Sequence, residues 1–310
     1  MTGKVVVLTG GVGGAKAVLG LSRIMDPSAL TAIVNVGDDF THLGLRISPD
    51  IDTLLYTLAD KGDLEKGWGR RNETWTFMAA LEALGGEGWF ALGDGDLALH
   101  VERTRRLAEG QALSAITTAF AKAWEIGATI LPASDGPLAT LIETDEGALP
   151  FQRYFVERRC HPIVKSIRFE GARTATPAPG VLEAIAAAAT VIIAPSNPYL
   201  SIDPILAIEP ITKALRTKRE PVVAISPLIG GKAVKGPTAK LMVELGLTPG
   251  NAAIAKHYQG LVQALLIDQG DLGLDLGIPH SAAKILMTTL ADRDHVARCA
   301  LRMADELRRS

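Results

Sequence analysis

The sequence predicts an α/β fold built on a mostly parallel sheet, and three observations carry that prediction. Val5-Val6-Val7-Leu8 is a β-branched run followed by Gly10-Gly11-Val12-Gly13-Gly14, after which Val18, Leu19, Leu21 and Ile24 recur at helical spacing. Leu30 to Val36 is a second buried-type strand, so the chain opens as a βαβ unit, which requires parallel strands. Alternation resumes at Thr190, where TVIIAPSNP reads as strand then loop, Ile211 to Thr217 as helix, and PVVAISPLIGG as strand then loop. Together these describe a Rossmann-like, three-layer α/β/α arrangement whose ligand loops lie at the carboxyl ends of the strands.

Between the two alternating stretches the pattern changes. Asn72 to Leu84, Asp96 to Ala108 and Leu113 to Trp124 read as helices separated by glycine-rich turns. Thr129 to Phe169 holds short candidate strands (TILPA, ATLIET, IVKSIRF) and the aromatic segment FQRYF, which could cover the site. The expected organisation is a nucleotide-binding core, 1–66 and 170–310, with an inserted helical and mixed subdomain, 67–169, over the active site. Ala184 to Ala194 reads as a helix end running into a buried strand, and the chain from Ala282 on as strand then amphipathic helix.

At 310 residues the chain can bury a substantial core. Its 32 basic and 34 acidic residues give a net charge of -2, so no global field draws it to nucleic acid or to a membrane surface, and a bound phosphate must be held locally. The two cysteines, Cys160 and Cys299, lie in no zinc-type spacing. Gly10 ends the first apolar run too early for a signal-peptide core, and the longest later one is about half the ~20 residues of a membrane helix. A cytoplasmic protein is expected.

A glycine loop between a first strand and a first helix lets backbone amides approach an anion. Lys16 stands where a dinucleotide fingerprint has its last Gly or Ala, and Ala15-Lys16-Ala17 is not the Gly-Lys-Ser/Thr of a P-loop. A tight turn without a ligand stays open. Asp38, Asp39, Asp50 and Asp52 place four carboxylates within fifteen residues. Such a cluster suits Mg²⁺ bridging to substrate phosphates, or one proton acceptor; Asp50 and Asp52 equally fit the amino end of a helix. Trp68-Gly69-Arg70-Arg71-Asn72-Glu73 would suit a phosphate or a flat ring, or form a solvated basic turn. In LGDGDLALH, Asp94 or Asp96 suits a cap on the helix that follows, and His100 a structural role. Ser196-Asn197 and the Ser226 to Gly230 loop end adjacent strands and could read a base edge, or be ordinary turns. No HExxH or GxSxG motif occurs.

The motifs GGVGGAK, NVGDDF, SPDIDTLLYTLA, GWGRRNET, LPASD, APSNP…SIDPIL and SPLIGGKAVKGPTAKLM, in this order along nearly the whole chain, resemble the CofD/FbiA family. These are the phospholactate transferases of coenzyme F420 biosynthesis. The resemblance implies a guanosine-diphosphate-linked small acid as donor, the deazaflavin Fo as acceptor through its 5′-hydroxyl, GMP as leaving product, Mg²⁺ as cofactor and a homodimer. It implies diphosphate on Gly11, Val12, Gly13 and Gly14 beside Lys16, and guanosine near Ser196, Asn197, Ser226 and Gly230. It implies metal among Asp38, Asp39, Asp50 and Asp52, with Asp39 or Asp52 acting on the acceptor, and Arg71, Asn72 and Glu73 near the acceptor or the transferred group. Gly95 and Leu99 depart from the family's usual Arg and Thr. A nucleotide-sugar-binding protein of the YvcK-like type and an NAD(P)-dependent oxidoreductase are the alternatives.

Overall fold

The computed structural model describes residues 3–63, 69–234, 236–273 and 275–309. Seven short apolar segments form one sheet: β1 (Val5–Thr9), β2 (Leu30–Val34), β3 (Thr129–Pro132), β4 (Thr190–Ile193), β5 (Val222–Ile225), β6 (Ala264–Asp268) and β7 (His280–Ala283), ordered β7-β6-β5-β4-β1-β2-β3. Every pairing is parallel, with Val5 of β1 opposite both Leu30 and Thr190. The central strands are buried along their length, as continuous Val/Ile/Leu runs require when helices cover both faces.

Strand order explains where the site lies. The chain winds outward from β1 through β2 to β3, then returns to lay β4 against the other side of β1. Right-handed crossovers therefore put helices on opposite faces, and the loops leaving β1 and β4 diverge to open a crevice at their carboxyl ends.

The interval 67–169 is not one insert. TILP pairs with β2, Val34 opposite Pro132, so this stretch extends the core sheet as its edge strand. The boundary expected between 66 and 67 lies outside the described residues. Around the sheet run α1 (Gly11–Ile24), α2 (Pro49–Leu58), α3 (Thr76–Ala83), α4 (Asp94–Ala108) and α5 (Leu113–Ala123), and the terminal helix Leu290–Arg309 packs on α1. The candidate strands ATLIET and IVKSIRF form a separate antiparallel sheet, Gly147–Pro150, Ala139–Thr144 and Val164–Glu170 in that spatial order. It caps the carboxyl end of β2: the Thr140 amide donates to the Gly37 carbonyl at 2.8 Å and Gln152 Nε2 to the Asp38 carbonyl at 3.4 Å. A small satellite core of Ile47, Met78 and Leu92 sits beneath the hairpin Phe40–His42/Leu45–Ile47.

The glycine run is the first turn of α1. A Cβ on Gly13 would stand 2.6 Å from the Pro195 carbonyl oxygen, so this glycine lets the helix start abut the β4 loop. Gly13→Ala should therefore lose about 1–3 kcal/mol of stability through overpacking even with no nucleotide present, read as a lower urea midpoint at unchanged m-value.

Candidate functional site

The crevice is stitched from four segments. The Gly10 amide donates to Ser196 Oγ at 3.2 Å, and that hydroxyl donates back to the Gly10 carbonyl at 2.7 Å, which joins the β1 and β4 loops. The Gly11 amide donates to Asp50 at 2.7 Å, and Asn35 donates to the other Asp50 oxygen at 3.0 Å. Asn35 in turn accepts from the Gly37 amide at 2.7 Å. A fully buried asparagine at the end of β2 thus links α2 to the aspartate turn. The amides of Val12 and Gly13 follow in the first turn of α1, where helix geometry supplies no intrahelical partner, and both residues are partly exposed. They can receive an anion.

The four aspartates are all buried, yet they divide by partner. Asp38 is pushed well above the usual carboxylate range by burial and then by the Asp50 charge, and its Oδ1 meets no partner among the described residues. Asp50 rises to about 6 by burial, against the bonds from Asn35 and Gly11. Asp39 rises to about 7 by burial, opposed by Arg46 at 3.6 Å and by Ser48 Oγ, which donates at 2.7 Å. The Asp39 Oδ1 is unpartnered. Asp52 differs: both oxygens are taken by the buried guanidinium of Arg103 on α4, and burial raises it despite that cation and His100 at 3.7 Å. The chain of contacts continues from His100 Nε2 to Asp96 at 3.1 Å, and from Asp96 to the Tyr56 hydroxyl.

Fit to a hard cation follows from these partners. Unpaired, buried carboxylate oxygens on Asp38 and Asp39, with Asp50 alongside, match the oxygen ligands that Mg²⁺ prefers. No three His, Cys, Asp or Glu side chains converge as a ready-made ligand set among the described residues, so the rest of such a shell would come from water, substrate phosphate or neutral oxygens. Asp52 does not fit, because a ligand already bound in both oxygens by Arg103 would have to give up a buried ion pair.

Several expected ligands have local structural partners. Lys16 Nζ donates to the Met287 carbonyl at 3.0 Å. Glu73 accepts from the Gly95 amide at 2.6 Å and so caps α4, while Asp94 accepts from Thr76 and Phe77 amides and caps α3, the helix before it rather than the one it begins. Arg71 pairs with Asp60 at 3.2 Å on the surface, and Asn72 is exposed in the left-handed region. Trp68 lies outside the described residues. Asn197 accepts from the Tyr199 and Leu200 amides, Ser226 donates to Asn251 at 2.5 Å, and the Gly230 amide donates to Asp271 at 3.1 Å. The Ser196 and Ser226 loops do leave neighbouring strands, β4 and β5. Asn35, Arg46 and Arg103 were missed; Asn35 alone lay inside a quoted motif.

Two outcomes follow from the electrostatics. Arg103→Met should destabilise by about 3–5 kcal/mol by stranding Asp52, and adding Asp52→Asn should recover much of it, a coupling read from chemical denaturation of both single variants and the double. For Asp39, a folded-state value near 7 against 3.8 unfolded means the native state holds the extra proton between those values. Stability of the cation-free protein should therefore fall as pH rises from 5 to 8, and Asp39→Asn should make that slope shallower in melting-temperature scans, with Asp38 and Asp50 retaining their share of it.

With this geometry in place, comparison with known proteins gives a consistent answer. A family model described as 2-phospho-L-lactate transferase CofD matches residues 5–296. A protein named phosphoenolpyruvate transferase from Streptomyces griseus is 40% identical over 316 residues, 98% of this chain and 99% of its own. Proteins of the same name from Mycobacterium sp. (strain KMS) and Mycolicibacterium smegmatis are also 40% identical, over 97% and 92% of this chain and 98% and 94% of theirs. A crystal structure of a UPF0052-family protein from Bacillus halodurans shares the fold, with a TM-score of 0.64 at 18% identity over 96% of this chain and 99% of that one. The match along residues 5–296 and the 40% identity across nearly the full length of these relatives show that the chain belongs to the CofD family of 2-phospho-L-lactate transferases.

Proposed function

We propose that this transferase of coenzyme F420 biosynthesis moves the phosphoryl-linked acid of a guanosine-diphosphate-linked donor to the 5′-hydroxyl of Fo. The new bond joins that hydroxyl oxygen to the phosphorus bearing the acid, the bond from that phosphorus to the GMP oxygen breaks, and GMP leaves. The observation that carries the reading is that Asp50, bonded to the Gly11 amide at the start of α1, stands beside the buried Asp38 and Asp39 turn, so that the next first-turn amides and a buried carboxylate cluster belong to one crevice. Phosphoryl transfer asks chiefly for alignment and for neutralisation of charge, and that juxtaposition supplies both.

In this reading the Val12 and Gly13 amides hold the diphosphate, and the guanosine lies over the β4 and β5 loops, whose shapes Ser196, Asn197, Ser226 and the Gly230–Asp271 bond maintain. Asp38 and Asp50 would hold Mg²⁺, which when bound offsets charge on the diphosphate. Asp39 offers its unpartnered oxygen to the acceptor hydroxyl and takes its proton. Asp52, held by Arg103, keeps α2 and Asp50 in position.

The relatives' name favours the enolpyruvyl donor, while the description of the family model names 2-phospho-L-lactate, and the lactyl donor is the second reading; the 3-phosphoglyceryl donor is a third substrate for the assay. Incubating the protein with Mg²⁺, Fo and each guanylylated acid separately, with product mass as readout, should give the enolpyruvyl product at the highest kcat/KM. Preference for the lactyl donor selects the second reading. No product from any donor overturns the transfer itself. Asp39→Asn should lower kcat by about 10²-fold or more with GDP affinity unchanged, as a proton acceptor used in the transfer step requires.

A further inference from the structure

Thr140 sits in the covering sheet, outside every motif assigned to the site. Its amide bond to the Gly37 carbonyl, 2.8 Å, pins it against the aspartate turn. Its side chain is 2% exposed, and Oγ1 has no hydrogen-bond partner among the described residues. That hydroxyl is directed at the turn: it lies 2.7 Å from where a Cβ on Gly37 would stand, a point that Asn35 Oδ1 also approaches to 3.1 Å. The same Asn35 bonds Asp50, and the residue after Gly37 is Asp38, whose Oδ1 is likewise buried and unpaired.

An orphaned buried hydroxyl is destabilising. The Thr140 hydroxyl packs against Gly37 beside Pro204, and Asp38 follows Gly37 directly; Thr140 Oγ1 and Asp38 Oδ1 both lack a hydrogen-bond partner among the described residues, and a hydrated cation at this turn would satisfy both. No three acidic, His or Cys side chains form a ready-made ligand set among the described residues, so a divalent ion at Asp38 would take further oxygens from water, substrate phosphate or neutral side chains, and Thr140 Oγ1 is a buried neutral oxygen beside the turn.

We propose that Thr140 is a ligand-shell residue of the divalent cation held at Asp38, bound to it directly or through one water, so that the covering sheet supplies part of the cation site. The inference rests on the cation assignment made above. It gives Thr140 a role in cation affinity that a packing residue would not have.

The test is Mn²⁺ titration by electron paramagnetic resonance, with and without GDP, alongside melting scans of the cation-free protein. Thr140→Val keeps the shape and removes the hydroxyl; Thr140→Ser keeps the hydroxyl. Thr140→Val should melt at or above the wild-type temperature without cation, yet bind Mn²⁺ about 10-fold or more weakly, as loss of a shell contact does. Thr140→Ser should stay close to wild type. Equal Mn²⁺ affinity in wild type and Thr140→Val overturns the proposal, and so does equal weakening in both variants, which would mark a packing role. A wild type that binds no Mn²⁺ under either condition overturns it together with the cation assignment, whereas formation of the transfer product is judged separately by the mass assay.

Discussion

The Asp50 carboxylate is the tie on which the crevice depends. One oxygen accepts from Gly11 at the start of α1 and the other from Asn35 at the end of β2, while Asp50 itself opens α2. Three elements are thereby tied to one another at the carboxyl edge of the sheet. The bond to Gly11 also spends the first amide of α1 on protein, which moves the anion-accepting amides one step along the helix, to Val12 and Gly13. An aspartate at that helix start is favourable with the helix dipole, but in the proposed reading the same negative charge would face the donor's diphosphate. The proposed cation beside Asp38 and Asp50 would resolve that conflict by turning a repulsive surface into an attractive one.

Burying four carboxylates in one region is tolerated by two different means. The Asp52 side is neutralised by protein: Arg103, itself about 1% exposed, supplies the countercharge from α4, and Tyr56, Asp96 and His100 extend the network outward. On the Asp38 side the protein supplies hydrogen bonds and no countercharge in direct contact, so its carboxylates are held above their ordinary range. Asp39 lies between, with Arg46 at 3.6 Å and half of its carboxylate unengaged. Protein engages both oxygens of Asp52, whereas Asp39 and Asp38 each keep one oxygen without a hydrogen-bond partner among the described residues. Stability is given up where chemistry needs an unpaired group and retained where it does not.

What the sequence made legible tracks the range of the interaction. Strands β1, β2, β4 and β5 were readable because a run of buried β-branched residues is a local signal, and the helix spans differed mainly at their ends. The edge strand Thr129–Pro132 was readable as a strand but not as a member of the core sheet, since nothing in four residues says which partner they pair with. The carboxylate cluster was visible; its division was not, because Arg103 reaches Asp52 from 51 residues away, on a different helix. Glu73 and Asp94 misled for a related reason. Each caps the helix the other begins beside, a reciprocal arrangement that sequence spacing alone presents as two separate polar clusters.

The covering sheet is bonded to the site and not merely laid over it. Thr140 and Gln152 hold the carbonyls of Gly37 and Asp38, the backbone that carries the reactive carboxylates. A cover attached in this way ties the Gly37–Asp38 backbone to the covering sheet, while the β4 and β5 loops, whose shape is set by Ser196, Asn197 and Ser226, flank the crevice on its other side. That separates two tasks in space. The β2 side, under its cover, is rigid and charge-dense and suits a reaction that needs preorganised electrostatics. The β4 and β5 side is open and loop-built, and discrimination between small acids that differ by a few atoms would depend on contacts made elsewhere in the crevice, because its own polar side chains are already committed to holding the loops.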